Sequence, residues 1–308
     1  MKVKLGYVAI SKTIELTAST NYTYTQYQKN KDLKLLDKVI ISNLESLEEI
    51  IKYNIANDIK FYRISSKIIP LATKDDVKFD YIKKYKSYYQ QISKLIKESN
   101  MRVDFHADQY TVLNSTKKEV VENTIKTLQY HYNLLESLNI LDKVVVLHVG
   151  SNVLGKKNSK TRFINNFKKL PQHLQNLIVI ENDDKIFNIE DVIEISNEIN
   201  TPIVLDYHHH LCNKSSNIDY PKIFKSWKSQ TPKMHFSSSK NKREFRAHND
   251  YINSNDFIDF LENIKIYNQD IDIMLEAKTK DEALFRLVRE LKYKTNYKFI
   301  NDTTFIVE

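Results

Sequence analysis

LIVIENDDKIFNIEDVIEISNEINTPIVLDYH, residues 177–208, reads as strand, helix and strand in succession. LIVI and PIVL are short β-branched runs, and the stretch 188–199 between them carries apolar residues at helix-like spacing. NIED at 188–191 supplies the helix start, an Asn cap followed by acids. Both strands end in polar groups, Glu181 in the first and Asp206 in the second, and the second runs on into His208, His209 and His210.

Working outward, the same alternation occurs eight times. Further strand-like runs lie at 3–9, 59–65, 101–107, 143–150, 232–238 and 272–278. Helical stretches lie at 31–57, 80–99, 116–139, 159–175, 219–230, 252–268 and 281–292, that at 116 with a start predicted in STKKE (115–119). Eight strand-helix units of this length predict a (β/α)8 TIM barrel. No proline-rich or low-complexity linker divides the chain, so residues 1–308 are expected to form one α/β domain.

Composition narrows the function. Lys and Arg outnumber Asp and Glu by 47 to 39, a formal +8 that suits a polyanionic partner such as nucleic acid. The three glycines, Gly6, Gly150 and Gly155, form no phosphate-cradling loop, which argues against ATP and nucleotide cofactors. One cysteine, Cys212, leaves no intramolecular disulfide and fits a reducing compartment. No apolar run is long enough for a signal peptide or a membrane span, so a soluble, cytoplasmic protein is expected, with no membrane and no obligate protein partner.

The chemistry lies where polar residues break the apolar runs. In a TIM barrel the site is built at the C-terminal ends of the strands, and Tyr7, Arg63, His106, His148, Glu181, Asp206, His235 and Glu276 all fall there. A lone histidine in such a run is ordinarily a hydrogen-bonded core residue; several at the same end of the barrel point to a shared ligand. His131 and His173 fall in helices and read as surface residues. Imidazoles with three carboxylates and no thiolate make a ligand set for Zn, Mn or Fe. Divalent cations would also relieve the mutual repulsion of Glu181, Asp206 and Glu276. Strict alternation puts His208 on the face of Asp206, but alternation weakens past a strand end, so which histidine of the triplet binds stays open.

These residues resemble the UV damage endonuclease family over nearly the whole chain. The resemblance rests on LGYVA (5–9), YRISSKIIPLAT (62–73), FHADQY (105–110), LHVGS (147–151), IENDDK (180–185), LDYHH (205–209), PKMHFSS (232–238), FRAHND (245–250) and MLEAK (274–278). It implies a TIM barrel with up to three divalent metals, typically Mn²⁺, that nicks double-stranded DNA on the 5′ side of a UV photoproduct without ATP. By the same resemblance Glu181 bridges two metals, one shared with His106 and His148, the other with Asp206, His235 and Glu276. His209 and His248, with Asp250, would hold a third. Lys233 matches a lysine that family members can carry in carboxylated form, and joins Glu181 and Glu276 as an expected catalytic group; an ordinary buried lysine is the other reading. His210 reads as a neighbour of the ligands or an incidental residue. Gln109 and Tyr110 resemble a pair that probes the lesion from inside the duplex, with Tyr7 near it. Arg63, Lys240, Lys242 and Arg246 are expected to meet phosphates on the rim. The chain departs from the family in having Lys74 where relatives carry histidine, and Ile10 and Ser11 where an asparagine is usual. Related architectures leave rivals: an apurinic endonuclease of the endonuclease IV type, a metal-dependent sugar isomerase, or a damage-binding module with structural metals.

Overall fold

The computed structural model describes residues 1–308. Its strands are β1 (Lys2–Val8), β2 (Phe61–Arg63), β3 (Arg102–His106), β4 (Val145–His148), β5 (Ile178–Glu181), β6 (Ile203–Asp206), β7 (Lys233–Phe236) and β8 (Ile271–Leu275). Each pairs in parallel with the next, and β8 returns to β1, with Val3 opposite Ile271 and Tyr7 opposite Leu275. The expected TIM barrel is therefore present. One main helix follows each strand: α1 (Leu33–Ala56), α2 (Lys86–Glu98), α3 (Lys118–Ser137), α4 (Lys156–Lys168), α5 (Ile189–Ile199), α6 (Tyr220–Ser226), α7 (Ser254–Ile264) and α8 (Asp281–Lys294). No helix is long and apolar enough to cross a membrane.

One large apolar body and two small ones hold the barrel together, the least of them Val8, Phe61 and Met274. The largest lies between strands and helices, as burial on both strand faces requires. A smaller one, Val144, Val146, Val179, Val204 and Trp227, fills part of the interior. Paired residues of neighbouring parallel strands share a face, so the register sorts the rest. His148 with Glu181, Asp206 with His235, and Arg63 with Asp104 all point inward. Gly6 is a glycine for a steric reason, since a Cβ there would meet Phe61 O at 2.4 Å.

Several boundaries differ from the sequence reading. The expected helix 159–175 runs Lys156–Lys168 and resumes as one turn, Gln172–Gln175, because extended Pro171 interrupts it. The helix does start within STKKE, at Lys118, but Ser115 does not cap it: Ser115 Oγ accepts from Lys117 N (3.1 Å), and Lys117 precedes the first turn without a side-chain cap. Asn188 does cap α5, in a reciprocal box with Asp191. Four small additions escaped the periodicity, one of them a seven-residue helix, Tyr24–Asn30, ahead of α1. Ile10–Ser11 and Leu16–Thr17 form a hairpin after β1. Thr304–Ile306 lies antiparallel on β1 and pairs with Lys298–Phe299. A short helix, Tyr207–Cys212, takes over where β6 ends.

Candidate metal centre

That short helix decides the histidine triplet. Asp206 ends β6 by capping the next turn, its carboxylate accepting from His209 N (2.7 Å). Beyond the cap the chain advances by about 100° per residue, so the residue three positions on returns to the face of Asp206. His209 therefore joins Asp206, its Nδ1 3.8 Å from Asp206 Oδ2 and 3.9 Å from Glu181 Oε1. His208 turns away and is buried beside Phe245 and His248. Its Nε2 lies 3.8 Å from Cys212 Sγ. His210 stacks on Tyr207 at the helix surface.

Glu181 stands at the centre of the mouth, fully buried, and its two oxygens face different partners. Oε2 lies 2.8 Å from His106 Nε2 and 3.3 Å from His148 Nε2, while Oε1 lies 2.6 Å from His235 Nδ1. His235 Nδ1 is also 3.4 Å from Glu276 Oε1. Three overlapping groups of donors result: His106, His148 and Glu181; His106, His235 and Glu276; and Glu181, Asp206 and His235. Six of the nine expected metal ligands converge. His209 adjoins them, but no third group forms around His248 and Asp250. The His248 and His209 ring centroids are 6.3 Å apart, and Asp250 is exposed.

Charge and protonation favour a cation here. His106 Nδ1 donates to Ala107 O (2.7 Å), so a neutral His106 turns a bare lone pair from Nε2 toward Glu181 Oε2. Only a proton or a metal ion reconciles that contact. Asp206 Oδ2 is buried without a hydrogen-bond partner. Burial pushes Asp206 up to about 6 against the pull of His209. His209 itself rises to about 9, since Asp206 and Glu181 outweigh its burial. Burial would raise Glu181 too, yet His235, His148 and His106 hold it well below the ordinary carboxylate range. Glu276 is likewise held low, by Arg63 and His235 against its burial. Burial lowers His235 to about 4. The His106 lone pair, the ionised Glu181 and Glu276 and the orphaned Asp206 oxygen together fit hard or borderline divalent ions.

Residues outside the three donor groups support this cluster from beneath and behind. Arg63, expected on the rim for phosphate, is instead buried: its guanidinium donates to Glu276 Oε1 (2.6 Å) and His235 Nε2 (2.6 Å). The inward register of β2 leaves it no route to the surface. Because arginine only donates, His235 accepts at Nε2 and carries its proton on Nδ1, toward Glu181, so an ion held by His235 would have to displace that proton. One layer lower, Lys233 pairs with Asp104 (2.5 Å), both fully buried, and burial lowers the lysine to about 8 despite its partner. A carbamate on Lys233 would face Asp104 with like charge unless a cation stood between them. Asn182 clamps two ligands at once, exchanging hydrogen bonds with the Asp206 backbone (2.9 and 3.0 Å) and offering its own carbonyl to His209 Nδ1 (3.0 Å). It sits inside the IENDDK motif, which gave no sign of this backbone role.

Two further expectations change. His131, read as a surface residue, is fully buried against Phe105. Ser66 Oγ donates to His106 O (2.8 Å), so the 2.9 Å contact from His131 Nε2 is an imidazole N–H donating to Ser66. Residue identity alone cannot separate a helical histidine facing the strands from one facing solvent; His173 is half-buried and contacts Gln129. Tyr7, expected beside the lesion, is fully buried. The β1–β2 register turns Val8 inward with Arg63 and Tyr7 outward with Tyr62, and the Tyr7 hydroxyl donates to Asn54 of α1 (2.8 Å). By contrast Gln109 and Tyr110 are exposed on the β3–α3 loop. On the rim Arg246 lies against Asp184 (3.4 Å), Lys240 pairs with Glu244 (2.6 Å), and Lys242 is exposed. Lys74 is exposed over the Tyr24 ring. Ser11 is buried and donates to Asp281 (2.7 Å), pinning the hairpin.

The family model for UV-endonuclease UvdE matches residues 3–305. The UV DNA damage endonuclease of Bacillus mycoides (strain KBAB4) is 38% identical over 314 residues, covering 99% of each chain. The crystal structure of SacUVDE superposes with a TM-score of 0.87 at 32% identity, over 94% of this chain and 98% of that one. Endonuclease IV from Thermus thermophilus shares the barrel, with a TM-score of 0.56 at 13% identity over 95% of this chain and 100% of its own.

Proposed function

Because the chain belongs to the UV-endonuclease UvdE family, we propose that it nicks double-stranded DNA immediately 5′ to UV photoproducts, both cyclobutane dimers and 6-4 products. The reaction is hydrolysis of one phosphodiester bond, leaving a 3′-hydroxyl and using no ATP. Residues 1–308 act as one endonuclease domain, in the cytoplasm.

The observation that carries this reading is the division of Glu181 between His106 with His148 on one oxygen and His235 on the other. A carboxylate so placed would suit a pair of divalent ions, whose chemistry supports phosphodiester hydrolysis. His106, His148 and Glu181 would hold one ion, and Glu181, Asp206, His235 and Glu276 a second. His209, with His248 and Asp250, would hold a third if the β7–α7 loop drew in. The borderline N/O donor set suits Mn²⁺. When bound, such ions supply Lewis acidity that lowers the pKa of the attacking water and offsets charge on the phosphate.

The chain's own groups orient and insulate. Arg63 fixes the rotamers of Glu276 and His235, and Asn182 fixes Asp206 and His209. Gln109 and Tyr110, exposed on the loop after His106, would enter a stack weakened by the lesion, and Arg246 would meet a phosphate.

The test uses an end-labelled duplex with one cyclobutane dimer and a matched abasic duplex, each with Mn²⁺ or EDTA. Cleavage 5′ to the dimer that needs Mn²⁺ and outpaces the abasic cut supports the reading. Preference for the abasic duplex would move the function to base-loss repair of the endonuclease IV kind. Tight dimer binding without nicking under any metal would make the protein a damage-binding module, and no DNA affinity at low salt would favour sugar isomerisation.

A further inference from the structure

Leu154 combines two unfavourable features. Its backbone is left-handed, at φ 65°, and its side chain is 72% exposed. A branched apolar residue gains nothing locally from either, since glycine suits that backbone and a polar residue suits that exposure. Leu71 shares the left-handed φ but packs against the core, so its strain has a compensation that Leu154 lacks. Val153, next to Leu154, is also exposed. Backbone strain of this kind collects at functional sites.

The loop that presents these two residues is well braced. Arg162 donates to Val153 O (2.5 Å), and Asn158 donates to Leu154 O (2.7 Å). The same braces tie it to its neighbour: Arg162 Nε reaches Asn114 O (3.0 Å), and Asn114 exchanges hydrogen bonds with Ser151 (2.8 and 2.9 Å). Asn114 closes the β3–α3 loop whose tip is Tyr110, 77% exposed. Two cross-linked loops, one following His106 and one following His148, thus hold exposed apolar tips on the C-terminal face of the barrel, with exposed Lys157 just behind.

We propose that Val153 and Leu154 form a second apolar wedge that enters the base stack of the bound duplex beside Tyr110. This rests on the reading of the site as a DNA endonuclease. Rigid aliphatic tips next to a cationic flank are what partial unstacking of a duplex requires, because bases accept apolar surface once parted while phosphates hold the loop in register. The shared bracing through Asn114 makes the two tips one unit, so that the duplex would be opened from two adjacent points.

The experiment compares the full chain with Leu154→Gly and with Val153→Ser/Leu154→Gly. Glycine suits the left-handed backbone, so thermal stability should hold or rise, which separates loss of the wedge from loss of the fold. The probe is the cyclobutane-dimer duplex with 2-aminopurine next to the lesion, bound in EDTA and nicked in Mn²⁺. The expected result is about tenfold weaker binding by the double variant and a smaller 2-aminopurine rise, with Leu141→Ala, an exposed leucine at the opposite end of β4, matching wild type. Unchanged affinity and unchanged fluorescence in the folded double variant would overturn the wedge while leaving the endonuclease intact. Wild-type silence toward the dimer duplex in both binding and nicking would overturn the endonuclease reading itself, and the wedge with it.

Discussion

Lys233 Nζ lies 2.5 Å from Asp104 Oδ2 with neither side chain reached by solvent, and each residue stands two positions before a histidine of the mouth, His235 or His106. The pair forms the floor of the site. Removing one partner strands the other charge in the interior. Asp104→Ala is therefore expected to destabilise the fold by roughly 3–5 kcal/mol, and the apolar double variant Asp104→Leu/Lys233→Met to recover most of the loss. Urea-unfolding midpoints check both; equal losses in single and double variants would mean the cost is packing rather than unpaired charge.

Asn182 touches Asp206 and His209 without being a ligand itself. Asn182→Ala should weaken metal binding about 10–100-fold, while the Asp206 backbone groups left unpaired cost roughly 1–3 kcal/mol of stability. Calorimetric titration with Mn²⁺ measures the affinity directly. An unaltered affinity in Asn182→Ala would remove the residue from the account of the centre.

Tyr7 is buried and bonded to Asn54, whose amide nitrogen already lacks a partner. Tyr7→Phe should cost about 1–3 kcal/mol of stability and leave KM for dimer-containing DNA as it was. A raised KM with intact stability would instead restore a lesion contact for this tyrosine.

His131 is held neutral, its pKa lowered by burial to about 3 from an ordinary 6.5. The unfolded chain takes up a proton at that position below 6.5, whereas the folded chain resists until about 3. This contribution to stability is complete above pH 6.5 and is lost as pH falls from there toward 3. His131→Gln should flatten that part of the stability profile, by a few kcal/mol at most toward the acid end. Denaturant midpoints stepped from about pH 7 to about pH 4 test it; identical profiles for variant and wild type would exclude His131 as the source.

Sequence alone determined the barrel and most of the donor residues that gather at its mouth. The alternation of β-branched runs with helical spacing is written locally, and a barrel strand ends where its apolar run meets a group that must face the mouth. His106, His148, Glu181, Asp206, His235 and Glu276 all stand at such breaks, and all converge. Tertiary structure decided what depends on a change of period or on a partner distant in sequence. His209 rather than His208 faces Asp206 because a helical turn replaces the strand at its cap. Tyr7 faces outward and Arg63 inward because β1 and β2 pair in one register, and a one-residue difference in register would exchange them. Asp104 with Lys233, and His131 with Ser66, meet across 129 and 65 residues of chain. No local pattern encodes such pairs, since each is fixed only when the barrel closes and burial obliges every polar group to find a partner.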